Sequence, residues 1–141
     1  MDQKRAWTLI EHARVATLGT VRPDGSPHLV PCVFAPAAPV VYVPVDAKPK
    51  RTRALTRLAN LERDPRGVLL FQGWDEDWSR LWWVRLDGHA RVLDGPADLD
   101  EPRRLLLARY PQYRAPLELH PIIEVHIDAW AGWSASAENA P

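Results

Sequence analysis

The segment from Ser26 to Val45 constrains the fold more than any other part of the sequence. It runs for twenty residues without a formal charge, which is about the length that a membrane-spanning helix needs. Five prolines interrupt the segment, and each proline inside a helix destabilises that helix by about 3 kcal/mol because it removes a hydrogen bond. We therefore predict two strands joined by a turn, with a break at residues 36–39 and no contact with a membrane. The prolines are Pro27, Pro31, Pro36, Pro39 and Pro44.

Length and charge narrow the choice further. The 141 residues and 16.0 kDa of the chain fit one domain over residues 1–141. Eighteen basic residues balance eighteen acidic ones, so the whole chain has no net charge with which to attract nucleic acid or an anionic membrane. A single cysteine, Cys32, cannot form an internal disulfide, and no signal-peptide pattern opens the sequence. Both observations favour a cytoplasmic protein.

The remaining segments alternate between strand and helix patterns. Arg22-Pro23-Asp24-Gly25 predicts a turn, because proline presets the backbone of its second position and glycine accepts a positive φ. Strands are predicted at Val15–Val21, Ser26–Ala35, Val40–Val45, Gly67–Gly73, Leu81–Leu93 and Ile122–Trp133, and helices follow Asp2, span Lys48–Glu62 and span Leu99–Tyr110. About six antiparallel strands with three helices around them predict a mainly β, α+β fold built as a small barrel.

The third helix carries the pattern of a capping box. Asp98 and Glu101 have the spacing of an N-cap and its reciprocal partner. Pro102 would then lie in the first helical turn, where its missing N–H has no effect.

Positive charge gathers at the junction between the third strand and the second helix. Seven basic residues fall between Lys48 and Arg66, against two acidic ones. A helix N-terminus supplies unpaired N–H groups and the positive end of the helix dipole, so basic side chains and a hydroxyl beside it make a phosphate site. The alternative is a solvated basic surface with no ligand. The residues of the predicted phosphate site are Lys48, Lys50, Arg51 and Thr52.

Tryptophan is the second unusual feature, because four of the seven indoles lie between Trp74 and Trp83. Such side chains bury large flat surfaces or stack against a ring system. Core packing and a protein interface are the competing explanations.

Several classes of chemistry lack their motifs. The five histidines show neither an HExxH pattern nor Cys/His ligand spacing, so linear spacing predicts no metal site. Cys32 lies inside an apolar strand and is expected to be a core residue. The sequence also lacks a G-x-S-x-G elbow, a Walker loop and a dinucleotide fingerprint, which disfavours hydrolases and nucleotide triphosphatases.

In combination, these segments resemble the split β-barrel superfamily of pyridoxamine-phosphate-oxidase-like proteins, in particular the actinobacterial branch of probable deazaflavin (coenzyme F420)-dependent oxidoreductases. The resemblance covers nearly the whole chain. The segments that carry it are Val15–Val21, Pro23–His28, Lys48–Thr52, Arg57–Leu61, Asp64–Arg66 and Asp77–Gly88.

The resemblance implies an FMN-binding type of split barrel that forms a homodimer, with two cofactor sites between the subunits. It implies a phosphate beside Lys48, Lys50, Arg51 and Thr52, with Arg57 as a further match. The segment containing Trp78, Ser79, Arg80, Trp82 and Trp83 would line the cofactor ring or belong to the site of the partner subunit. No catalytic acid or base is implied.

Two departures from the superfamily bear on function. The end of the chain lacks the arginine-containing motif of true pyridoxamine phosphate oxidases, which disfavours vitamin B6 oxidation. Seven residues separate Thr52 from Asn60, where commoner relatives have a compact Lys-x-Arg-Asn-Leu run. The individual phosphate contacts are therefore not fixed by the resemblance.

We expect an oxidoreductase in which reduced deazaflavin passes a hydride to an electron-poor double bond of a small organic substrate. One alternative is an oxidase or flavin reductase that holds FMN in the same fold. Another is a protein that binds the cofactor without turnover. Binding of single-stranded nucleic acid is disfavoured, because the acidic run Asp75-Glu76-Asp77 among the tryptophans would repel phosphate.

Overall fold

The computed structural model describes the backbone of residues 1–46, 51–113 and 119–135, and their side chains apart from those of 46, 51–55, 119 and 120. Three helices and seven strands make up this part of the chain. They are α1 (Gln3–His12), β1 (Ala16–Val21), β2 (Pro27–Cys32), β3 (Ala35–Ala37), β4 (Val40–Asp46), α2 (Arg51–Arg63), β5 (Arg66–Gly73), β6 (Trp82–Leu93), α3 (Pro96–Arg109) and β7 (Leu119–Ser134). A short 3-10 turn spans Trp78–Arg80.

All seven strands join one antiparallel sheet in the order β2-β1-β5-β6-β7-β4-β3. The predicted mainly β, α+β architecture is confirmed, and so is the first hairpin, in which Ala16 pairs with Cys32 and Val21 pairs with Pro27. Gly25 has a φ of 87° in the connecting turn, a conformation that glycine adopts without strain. Asp2 caps α1 as expected, since its side chain accepts a hydrogen bond from the Arg5 N–H at 2.7 Å.

The break predicted at residues 36–39 is wrong in part, because an additional strand forms there. The sheet therefore has seven strands, where the sequence predicted about six. Ala35–Ala37 forms β3, which pairs with β4 through Pro36 and Val41. An edge strand tolerates a proline because one of its sides needs no N–H donor. The predicted irregularity at Pro44 is confirmed, since the register between β4 and β7 shifts between Pro44 and Asp46.

The capping box expected for the third helix is also wrong. The helix begins one turn earlier, with Gly95 as its N-cap and Pro96 in its first turn. Glu101 contacts Arg104 instead, with Arg104 Nε 2.9 Å from Glu101 Oε2. Pro102 consequently lies inside the helix, where burial of its ring offsets the lost hydrogen bond.

The core lies between the sheet and the helices. Phe34 and Phe71 meet edge to face with their ring centroids 4.8 Å apart. Cys32 is part of this core, as expected, and burial raises the pKa of its thiol to about 12. Cys32 is therefore a packing residue with no thiolate character at neutral pH.

Helix α2 is fixed to β1 at its C-terminal end. The Asn60 Nδ2 donates a hydrogen bond to Thr20 Oγ1 at 3.1 Å, and both residues are buried. Arg63 donates a second bond to the carbonyl oxygen of Val21. These contacts set the position of the whole helix, including its N-terminal turn at Arg51.

Across the described ranges, none of the helices is both long enough and apolar enough to cross a bilayer.

Candidate functional site

The residues of the predicted phosphate site lie between the end of strand β4 and the first turn of helix α2. Arg51 and Thr52 form the start of α2, and the strand before it ends at Asp46. The predicted residues Lys48 and Lys50 lie outside the described residues. The expected succession of a strand and a helix is confirmed, and the phosphate site at the helix start stays a prediction.

Arg57 on α2 and Arg22, which follows β1, create a positive environment around His28. Burial, together with the charges of Arg22 and Arg57, lowers the pKa of the His28 imidazole. His28 pairs with Thr20 across the β1–β2 ladder, so it shares the sheet face on which α2 lies. At neutral pH the His28 imidazole is therefore neutral.

One nitrogen of the His28 imidazole is a candidate hydrogen-bonding atom for a ligand. The Nδ1 atom of His28 is buried and has no hydrogen-bond partner within the described ranges. A buried polar atom without a partner is unfavourable by about 1–3 kcal/mol, and a ligand that covers the atom can supply the missing bond.

His28 is a residue that the sequence analysis missed as a site candidate. A signal was present, because the alternation of β2 places His28 on the same face as Val30 and the buried Cys32. A histidine at a core-facing position of an edge strand needs a partner, and the sequence alone offered none.

Two of the seven basic residues in this region hold the fold together. Arg63 bonds to the Val21 carbonyl. Arg66 pairs with Asp64, with Nη2 2.6 Å from Oδ2, and this hydrogen bond lowers the pKa of Asp64 to about 2. Arg63 and Arg66 are therefore engaged within the chain itself.

The predicted ring-lining segment begins with an exposed turn. Trp78 is 68% exposed. Ser79 Oγ donates a hydrogen bond to Asp77 Oδ1 at 2.7 Å, and Arg80 Nε lies 3.5 Å from Asp75 Oδ2. The polar members of this segment are therefore engaged with its own acidic residues.

The two tryptophans that open β6 are half-buried beside an apolar crevice of about 360 Å³. A Cβ atom at Gly73 would lie 2.0 Å from Trp82 Nε1, so the indole lies directly against the glycine backbone. The tryptophans along the crevice present flat aromatic surfaces of the kind that stack on a ring system. Its lining residues are Gln72, Gly73, Trp74, Leu81, Trp82, Trp83 and Trp133.

A second groove, of about 390 Å³, lies on the sheet surface formed by β2, β1 and β5. Leu29 in this groove is 67% exposed. A Cβ atom at Gly19 would lie 3.2 Å from the Leu29 side chain. The absence of a side chain at Gly19 therefore leaves room for Leu29. The groove is apolar, with Arg66 as its charged member. Its lining residues are Gly19, Thr20, Val21, Gly25, Pro27, Leu29, Arg66 and Val68.

The strand register separates the two groups of predicted site residues within one chain. Gly19 pairs with Val68, and Val68 pairs with Asp87. Trp82 lies five residues from Asp87 along β6, which corresponds to about 16 Å of strand. His28, on β2, lies three strands away from β6 in the sheet. His28 and Trp82 therefore lie in different regions of the sheet.

Comparisons with known proteins agree with this architecture. The family model for pyridoxamine 5′-phosphate oxidase matches residues 3–134. A conserved hypothetical protein from Mycobacterium tuberculosis aligns with a TM-score of 0.79 and 22% identity, covering 100% of this chain and 89% of that one. Comparison of the sequence with curated proteins finds no match.

Two other solved structures of the same fold bind different cofactors. A FAD-binding protein from Mesorhizobium loti aligns with a TM-score of 0.70 and 17% identity, covering 94% of each chain. The haem storage protein from Vibrio cholerae aligns with a TM-score of 0.71 and 12% identity, covering 94% of this chain and 93% of that one. At these identities the likeness shows the fold alone.

Proposed function

The chain belongs to the pyridoxamine 5′-phosphate oxidase family, and we propose that it is an oxidoreductase that uses the deazaflavin coenzyme F420 to transfer a hydride to a small organic substrate. The observation that carries the proposal is the arrangement at helix α2. Basic residues cluster in the sequence around its N-terminus, and the buried Nδ1 of His28 has no partner among the described residues.

This arrangement fits the phosphate of a flavin-type cofactor. Lys50, Arg51 and Thr52 are the residues that would hold it, together with Lys48. Charged donors form stronger hydrogen bonds to phosphate than neutral ones do. The helix dipole adds to their effect because its positive end lies at the same place.

His28 and Arg57 extend the site beyond the phosphate. The neutral imidazole of His28 can donate or accept a hydrogen bond at its buried Nδ1, according to its tautomer. We propose that this nitrogen orients a polar edge of the cofactor. Arg57 would keep the imidazole neutral and attract the anionic part of the ligand.

When bound, the cofactor supplies the hydride chemistry. The role proposed for this chain's residues is to bind the phosphate, orient the ring and exclude water from one of its faces. The tryptophans at the start of β6 supply the flat apolar surface for the last task. The proton donor is not assigned to any residue.

We also propose that two copies of the chain form each site. The resemblance described above implies a cofactor site between two subunits, in which helix α2 of one copy and the tryptophans of the other would contact the same ring. The exposed apolar side chains fit such an interface, because a surface of this kind is stabilised when a partner covers it. They are Val15, Leu29, Trp74, Trp78 and Trp133.

FMN is the principal alternative cofactor, because it presents a phosphate and a tricyclic ring to the same residues. The chain would then act as an oxidase or flavin reductase. Cofactor binding without turnover is the second alternative, which the haem storage protein of the same fold illustrates.

The choice between the two cofactors is testable by competition titration in rising salt. The deazaflavin carries carboxylates in its lactyl and glutamate tail besides the phosphate, and arginines such as Arg51, Arg53 and Arg57 can bind carboxylates in a bidentate way. We expect tighter binding of the deazaflavin and a steeper loss of its affinity with salt, because more charges are paired. Equal affinities with equal salt dependence would favour FMN.

A further inference from the structure

We propose that His89, His126 and Asp128 form a binding site for one divalent transition-metal ion of the zinc type, on the exposed surface of strands β6 and β7. This site shares no residue with the proposed cofactor site. Its test therefore fails or succeeds independently of the proposed function.

The ligand atoms of the three residues are already close together. They lie within 4.8 Å of one another. His89 Nδ1 is 2.9 Å from Asp128 Oδ2, and the imidazole rings of His89 and His126 stack with centroids 5.2 Å apart. Nitrogen and oxygen ligands lie about 2.0–2.2 Å from a zinc ion. Small rotations of these exposed side chains would bring the three ligand atoms to such distances from one ion.

The backbone brings the three residues together through a β-bulge. His89 and His126 are direct cross-strand partners, and the register between β6 and β7 shifts between Asp87 and Gly88. Ala129 pairs with Asp87 and Ile127 pairs with Gly88, so Asp128 is the extra residue of the bulge. A bulge of this kind directs a side chain out of the regular alternation, and here it leaves the carboxylate beside His89.

Gly88 makes the bulge possible. A Cβ atom at this position would lie 2.2 Å from the His126 carbonyl oxygen, which no side chain can accommodate without moving the backbone. The close approach of β7 to β6 therefore depends on glycine, and this approach sets the spacing of the two histidines.

The chemistry of the donor set favours a transition metal over calcium or magnesium. Imidazole nitrogens bind zinc, copper, nickel and iron, whereas calcium and magnesium require mainly oxygen ligands. Two histidines and one carboxylate also leave coordination positions open for water or a small ligand.

The charges near the cluster do not oppose a cation. Arg91 is paired with Glu124, with Nε 2.8 Å from Oε1. Arg85 is paired with Asp87, with Nε 3.1 Å from Oδ2. Asp128 contacts His89 and has 56% of its side chain exposed, so a metal ion can reach its side-chain oxygens.

Asp128 also belongs to the wall of a crevice of about 350 Å³ between α1 and β7. Trp7 and Trp130 line the same crevice. An ion held by Asp128 would lie at its edge, so the open coordination positions could be shared by a small molecule in the crevice.

Titration of the tag-free, full-length protein with Zn²⁺ by calorimetry tests the site, with Co²⁺ absorption as a second readout of the ligand geometry. We expect one ion per chain. His89→Ala, His126→Ala and Asp128→Asn should each weaken binding at least tenfold, because each variant removes or neutralises one of the three proposed ligands. His12→Ala, which removes an exposed histidine on α1, is the matched control and should leave the affinity unchanged.

Three results would overturn the proposal. The first is the absence of saturable Zn²⁺ binding to the unmodified chain. The second is equal affinity in the unmodified chain and in the His89→Ala/His126→Ala double variant, which would place the ion elsewhere. The third is unchanged affinity in Asp128→Asn, because this result would show that the carboxylate is not a ligand of the ion. Circular dichroism of each variant checks that the fold is retained.

Discussion

Replacing Lys50 and Arg51 together by alanine is expected to weaken binding of the flavin-type cofactor by at least about a hundredfold. Hydrogen bonds from charged groups contribute about 1.5–3 kcal/mol each, and both residues are assigned to the phosphate. Stability should change little, because exposed basic side chains contribute about 0–1 kcal/mol to folding. Fluorescence quenching measures the affinity, and thermal unfolding measures the stability.

The chain provides a matched control for this variant. Lys4 and Arg5 are an exposed lysine–arginine pair on α1, and their replacement by alanine removes the same charge at a distance from α2. Lys4→Ala/Arg5→Ala should keep the affinity for the cofactor. A lower melting temperature with unchanged affinity in Lys50→Ala/Arg51→Ala would show that the junction is structural and not a phosphate site.

Leu29→Glu is expected to convert the proposed dimer to a monomer and to weaken cofactor binding more than tenfold. Leu29 is 67% exposed on the edge strand β2 and is one of the apolar side chains of the proposed interface. A carboxylate that is buried in an interface without a partner is strongly unfavourable. Light scattering measures the mass, and the cofactor titration measures the shared site.

Ala108→Glu is the control for the added charge, since Ala108 is exposed on α3. This variant should remain dimeric and should bind the cofactor as the unmodified chain does. A chain that is monomeric at micromolar concentration before any substitution would contradict both the dimer and the site shared between subunits.

Much of the fold could be predicted from local patterns. The Arg22–Gly25 turn and the alternation of the flanking residues give the first hairpin directly. The start of α3 could not be predicted in this way. Its capping pattern and the position of Pro102 indicated a later start, whereas the helix begins at Pro96 with Gly95 as its N-cap. Two local signals competed here, and the proline at the first helical position marks the actual start.

The part of the candidate site that consists of residues adjacent in the sequence could be predicted. The basic start of α2 is a run of neighbouring residues, so composition and helix polarity are sufficient to predict a phosphate site there. His28 was missed because its importance depends on burial and on Arg57, which belongs to another element. The same reason applies to His89, His126 and Asp128, which only the β6–β7 register and its bulge bring together.

Stoichiometric titration of the purified protein with the deazaflavin cofactor and with FMN tests the central claim most directly, with the mass of the complex followed by light scattering. We predict saturable binding of the deazaflavin at one molecule per chain, on a particle of two chains. Saturable binding of neither cofactor, with the protein folded and dimeric, would contradict the assignment of a flavin-type cofactor site to this chain.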